Sequence, residues 1–171
     1  AEEYAAYLID VRSHLNFHND DGFLMRAYAE AMSLLTSDPR ADAEQIISIS
    51  NNQAVQELPD GNLAAAKETL KQLSESVTLG APGDQLASII VHHNYALSLG
   101  ISGFIDDSLR AMDAVYAVLP DRLRTESAIS PEMLLDQAAL LGTTGEPHST
   151  EKVLLRVLEE FKNREPLRPF S

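Results

Sequence analysis

The sequence predicts an all-α protein in which about eight helices pair into four antiparallel hairpins. Only 6% of its 171 residues are aromatic, whereas Leu and Ala recur throughout, and this balance favours helices over strands. Apolar residues recur at helical spacing in successive segments, without the alternation that is typical of strands. Seven turn sequences rich in Gly, Pro and Asp interrupt these segments. A chain of this length, 44% hydrophobic, can bury the core of one domain.

The first half of the chain predicts four helices, the first of them before residue 19. Gly and Pro supply backbone angles that end helices, so the turn sequences mark the boundaries: NDDG at 19–22, TSDP at 36–39, PDGN at 59–62 and TLGAPGD at 78–84. Between them, apolar residues step by three or four positions: Phe23, Ala27, Ala31 and Leu34, and then Leu63, Ala66, Leu70 and Leu73. Each set draws one stripe along a helix.

The second half predicts four more helices, separated by GISG at 100–103, TESAISP at 125–131 and GTTGEP at 142–147. Ser130 and Pro131 read as an N-cap followed by Pro at the first helical position, and Ser149 or Thr150 can cap the last helix. The stripes are Ile105, Leu109, Met112, Tyr116 and Leu119, and then Val153, Leu154, Val157, Leu158 and Phe161. The sequence thus predicts a single domain, 1–171, with hairpins at about 3–37, 42–77, 84–119 and 131–163.

Some spacings recur between these hairpins. Gly22, Ala27 and Pro39 lie five and then twelve residues apart, and Gly103, Ser108 and Pro120 repeat the same spacings. Gly61 and Ala66 keep the first of them. Asn52 with Ala54 precedes Gly61 as Asn94 with Ala96 precedes Gly103. A recurring pattern of this kind indicates stacked helical repeats.

The pattern resembles the tetratricopeptide repeat, a helix–turn–helix unit of about 34 residues. With Gly103 as the fifteenth position, Ala96 and Ser108 fall where that family has small residues, and Pro120 falls at its proline. The large aromatic at the family's fourth position is missing, replaced by Val11, Ser50 and His92. The resemblance implies a right-handed superhelix of about four hairpins, with extra residues in the loops between units and a concave groove.

The resemblance also implies which residues face this groove and contact a partner: Asn51, Val55, Leu58, Ile90, His93 and Leu97. None of them is Lys or Arg, so the carboxylate clamp of chaperone-binding members is not expected. Asn52 and Asn94 are expected to form hydrogen bonds between helices instead. The mainly apolar lining predicts an apolar peptide or helix from another protein subunit as the partner.

Residues 45–161 are similar to the carboxy-terminal repeats of tetratricopeptide subunits of vesicle-tethering complexes such as TRAPP. The closing segment HSTEKVLLRVLEEF carries the match, through Ser149, Lys152, Leu154 and Leu155. This likeness implies a non-catalytic scaffold in the cytoplasm, peripheral to membranes between endoplasmic reticulum and Golgi. Repeat subunits of mRNA deadenylase complexes show a comparable Asn-x-Ala pattern and are the alternative.

Charge and hydropathy exclude several other classes. The formal charge of −13 repels phosphate backbones and anionic membranes, so no nucleic-acid partner is expected. The longest apolar runs are far shorter than the roughly 18 residues of a membrane-spanning helix, so no membrane insertion is expected. There is no cysteine. The acidic start AEEY, without Met, is what a piece of a longer protein would show.

The histidines are the candidates for chemistry. His92 and His93 are neighbours, so on a helix their side chains diverge. His14 and His18 would converge, but Leu15 occupies the place of the glutamate that a zinc protease of the HExxH type requires. We therefore expect no catalytic residue, no metal site and no cofactor. An all-α metal-binding enzyme that uses His14 and His18 is the less favoured alternative, and a repeat protein that senses a small ligand is a third.

Overall fold

A computed structural model describes residues 21–37, 42–58, 62–80, 85–126, 129–145 and 147–162. These ranges contain eight α-helices and no strand, which confirms the all-α class. The helices are α1 (Asp21–Ser37), α2 (Ala43–Glu57), α3 (Leu63–Ser76), α4 (Gln85–Ile101), α5 (Ile105–Ala117), α6 (Asp121–Glu126), α7 (Ile129–Thr143) and α8 (Pro147–Lys162).

The chain divides into two compact units, of which the first contains α1 to α3. In this unit α2 packs against both α1 and α3. Its apolar core joins α1 to α2 through four buried residues: Tyr28, Ala31, Leu35 and Ile49. The Ser50 hydroxyl donates a hydrogen bond to the sulfur of Met32, at 3.6 Å, beside this core. The predicted helix before residue 19 lies outside the described residues.

The second unit contains the hairpins α4–α5 and α7–α8, with the short helix α6 between them. Helix α7 packs against α4, α5, α6 and its hairpin partner α8. It contributes to all three apolar clusters of the unit: Ile89, Val115, Leu119 and Met133; Ala96, Met112 and Leu140; and Leu134, Ala138, Leu141, Val153 and Val157. The second hairpin is therefore held to the first chiefly through α7.

The helical hairpins recur at a constant interval along the chain. Helices α3, α5 and α8 begin at positions 63, 105 and 147, and α4 and α7 end at positions 101 and 143. Gly103 and Gly145 keep this interval in the two turns, with φ of +88° and +74°, where a side chain would be strained. The fold is thus all-α and helical-repeat-like. The right-handed superhelix of the tetratricopeptide family stays a prediction.

The boundaries differ from the predicted ones in several places. Helix α8 begins at Pro147, so Ser149 and Thr150 lie inside its first turn and not at its cap. Proline suits this position because its fixed φ is helical and its missing N–H would have no partner there. Helix α7 begins at Ile129, so Ser130 is likewise inside it. Helix α6 was not predicted, because its six residues are too few to show a periodic stripe.

Gly100 is a point of close approach between the two hairpins of the second unit. A Cβ added to it would lie 2.6 Å from Leu140 Cδ1 and 2.9 Å from the Ser108 hydroxyl. Gly142, the equivalent glycine of the next hairpin, has no atom within 4 Å of the same position. The two glycines are therefore equivalent in the repeat but differ in what covers them.

This difference predicts opposite effects of one substitution. Gly100→Ala should lower the free energy of unfolding by about 1–2 kcal/mol, because overpacking against Leu140 outweighs the gain in helix propensity. Gly142→Ala should raise it by up to about 1 kcal/mol, because only the propensity term applies. Urea denaturation of both variants checks this, and a stabilising Gly100→Ala would contradict the packing.

Candidate functional site

The six residues predicted to line a groove lie on α2, just after it, and on α4. Those near α2 and those on α4 belong to different compact units. Asn51 and His93 are buried, at 3% and 7% exposed, whereas Val55, Leu58, Ile90 and Leu97 are partly buried. A partner's contact with the six positions stays a prediction, and the four apolar residues offer the accessible surface for it.

His93 is buried by a helix that lies far from it in the sequence. Helix α7 covers this side of α4, and His93 Nε2 lies 2.9 Å from Asp136 Oδ2. The other ring nitrogen, Nδ1, is buried and has no hydrogen-bond partner. A His–Asp pair that does acid–base chemistry brings the second ring nitrogen to a substrate, whereas Nδ1 of His93 is buried in this structure. The pair therefore joins two hairpins.

His92 also makes a contact within the fold. Its Nε2 lies 3.1 Å from the carbonyl oxygen of Val77, in the segment that precedes α4. Among the described residues no group of three or more His, Cys, Asp or Glu is placed to hold a metal ion. His14 and His18 lie outside the described residues.

The small residues singled out by their spacing meet inside the α4–α5 hairpin. The Ser108 hydroxyl donates a hydrogen bond to the carbonyl oxygen of Ala96, at 2.6 Å. Neither residue has any exposed surface. Small side chains allow this close approach, and the hydroxyl bonds a backbone oxygen of the facing helix. The equivalent Ala54 and Ala66, in α2 and α3, are buried as well.

A polar cluster around Tyr116 joins the helices of the second unit. The guanidinium groups of Arg124 and Arg156 lie 4.7 and 4.6 Å from the centre of its ring. Its hydroxyl and that of Ser130 both donate to the Glu160 carboxylate. Arg124 also donates to the backbone oxygen of Tyr116, at 2.7 Å, near the end of α5, where carbonyls lack partners within the helix. These charged groups thus hold α5, α6, α7 and α8 together.

Several of the large apolar side chains that are exposed among the described residues lie together on α8. Val153 and Val157 are buried against α7, whereas four larger neighbours are 41–54% exposed: Leu154, Leu155, Leu158 and Phe161. A groove of about 450 Å³ runs beside them, lined also by Gly142, Pro147 and Glu151. We call this surface, with the exposed Leu135 of α7, the α7–α8 face.

The sequence pattern did not reveal this face, since the whole stripe on α8 reads as one core side. The signal was in the doublets at 153–154 and 157–158, which make the apolar arc wider than one packed interface requires. The spacing from Gly103 to Gly145 was a second signal, because it places α7–α8 as a further copy of the repeat.

No family model matches this chain, and among curated proteins and solved structures none is similar enough to count as a match. None of the helices in the described ranges has the length and apolar character needed to span a membrane.

A double-mutant cycle tests the contact between His93 and Asp136. The alanine variants of the two residues should show a coupling of about 1 kcal/mol in the free energy of unfolding, because each loses the same hydrogen bond. The exposed pair Asp107 and Arg110 serves as a control, with an expected coupling below about 0.5 kcal/mol. A coupling near zero for His93 and Asp136 would mean that the bond does not hold the hairpins together.

Proposed function

We propose that this protein is a non-catalytic scaffold that binds other protein subunits through its stacked helical hairpins. The observation that carries the proposal is the α7–α8 face. Leu154, Leu158 and Phe161 follow one another at helical spacing on one side of α8, and Leu155 lies next to them. Single exposed apolar residues are common on proteins, but a contiguous set beside a groove is typical of an interaction site.

The architecture supports the same function. A helical hairpin buries its apolar sides only by stacking on neighbours, so an array offers an open face wherever stacking stops. Such a face needs a partner with a matching apolar surface. The proposal requires no catalytic residue and no cofactor.

The narrower proposal concerns the assembly. It rests only on the resemblance that the sequence pattern of residues 45–161 suggests, since no known protein matched the chain. That resemblance favours vesicle traffic between endoplasmic reticulum and Golgi, and thus a cytoplasmic protein peripheral to those membranes. An mRNA deadenylase complex is the alternative. Subunits that co-purify with the protein distinguish the two, because the sets do not overlap.

Substitutions on the α7–α8 face test the scaffold function. Leu155→Asp combined with Leu158→Asp should abolish co-purification of partner subunits, because two buried carboxylates would oppose docking. The fold should persist, since both side chains are 54% exposed. Quantitative mass spectrometry of the tagged protein, purified from its native cell, measures the loss, and thermal denaturation checks the fold.

Leu86→Asp is the matched control, because Leu86 is an exposed leucine at the start of α4, away from this face. It should leave the set of co-purifying subunits unchanged. An unchanged set in the double variant as well would exclude the α7–α8 face as the binding surface.

A further inference from the structure

The α4–α5 hairpin shows how a face of this kind is covered within the protein. Helix α7 lies on it, and the side chain of Leu140 fills the space over Gly100. Two polar contacts fix α7 in place: Asp136 with His93, at 2.9 Å, and Gln137 Nε2 with Asp113 Oδ1, at 2.8 Å. The interface thus combines one close approach over a glycine with two side-chain hydrogen bonds.

The α7–α8 face repeats this arrangement one hairpin later, without a described helix on it. In order, Gly100, His93, Met112, Asp113 and Tyr116 correspond to Gly142, Leu135, Leu154, Leu155 and Leu158. The first five contact α7 or the clusters that it forms, whereas the second five are all exposed. The open face therefore continues the established interface by one repeat.

Three positions change their chemistry between the two faces. His93 and Asp113, which hold the polar groups of α7, are replaced by Leu135 and Leu155. A leucine side chain cannot form a hydrogen bond, so an incoming helix needs apolar side chains where α7 has Asp136 and Gln137. Conversely, Leu109, which packs against the clusters of Leu140 and Leu141, is replaced by Glu151.

Glu151 is the one charged residue among those that line the groove in the described part of the chain, so a cation on the incoming helix would complement it. The formal charge of −13 adds to this preference and disfavours a second copy of the same acidic chain. Lys or Arg also suits the last turn of a helix, where the backbone dipole is negative.

We propose that the α7–α8 face binds one amphipathic helix of another protein, in the way that α7 lies on α4–α5. The helix places Leu over Gly142, apolar side chains opposite Leu135 and Leu155, and Lys or Arg beside Glu151. The inference rests on the proposed scaffold function and adds the chemistry of the partner.

A peptide made from α7 itself tests the proposal. The probe is residues 129–145 with Asp136→Leu, Gln137→Leu and Leu141→Lys, and the control peptide is the unchanged segment. Fluorescence anisotropy with the whole 171-residue protein should show binding of the probe, and at least about tenfold weaker binding of the control, since its two polar groups would face leucines.

Variants of the protein locate the binding. Leu155→Asp and Leu158→Asp should each weaken probe binding by about tenfold or more, whereas Leu86→Asp leaves it unchanged. Glu151→Lys should weaken it several-fold and remove part of its salt dependence. No probe binding, equal binding of both peptides, or insensitivity to the leucine variants would overturn the inference.

Two other occupants give distinct results. A dimer of the purified protein that Leu155→Asp dissociates in sedimentation would assign the face to a second copy. A Leu155→Cys thiol that stays unreactive in the natural full-length chain, purified without other proteins, would assign it to that chain's own residues. Either result overturns the inference. If the probe fails but the face variants still lose their co-purifying subunits, the scaffold function stands and only the helical partner falls.

Discussion

The second unit depends on the close approach of helices at positions that lack large side chains. In α4–α5 the Ser108 hydroxyl donates a hydrogen bond to the backbone oxygen of Ala96 in α4. This contact requires small side chains at both positions, because larger ones would hold the two helices apart. One turn further, Gly100 leaves the space that Leu140 of α7 fills. A larger side chain at either level would overlap with these neighbours and strain their packing, since protein interiors are close-packed. The hydrogen bond between His93 and Asp136 and the polar cluster around Tyr116 form only when α5 and α7 lie in these positions.

When a helical hairpin packs against one neighbour through one of its faces, its opposite face stays available for packing against the next neighbour. Helix α8 has one packed face and one exposed face. Val153 and Val157 pack against α7, whereas Leu154, Leu155 and Leu158 are exposed. Its apolar residues therefore form two adjacent surfaces, one packed against α7 and one exposed. Under the proposed function, the formal charge of −13 would bias which partners approach this surface, since charge acts on encounter at longer range than apolar contact.

The sequence predicted those helices and turns that are specified by residues close together in the chain. Helical stripes and Gly–Pro turns placed seven of the eight described helices, and the spacing of Gly103 and Ser108 identified the hairpin in which Ser108 meets Ala96. Helix α6 was missed because six residues carry no period. The burial of His93 could not be predicted from α4, because its cover comes from Asp136, far along the chain on α7. The open face was missed because the sequence of α8 does not say which apolar side meets α7.

The two faces differ in polarity for a physical reason. Helix α7 is part of the same chain as the α4–α5 hairpin, so the interface between them needs little additional affinity. It does need a fixed alignment of the helices, and hydrogen bonds between side chains supply that alignment. Asp136 can bond His93 at low desolvation cost because its side chain stays 43% exposed. A face that must recruit a separate molecule has to offset the lost freedom of that molecule, and apolar burial is the main source of such free energy. In the proposed complex, the change from His93 and Asp113 to Leu135 and Leu155 would exchange a fixed register for affinity. A cation of the proposed partner beside Glu151 would then supply one directional contact, at the position where the internal interface has a leucine.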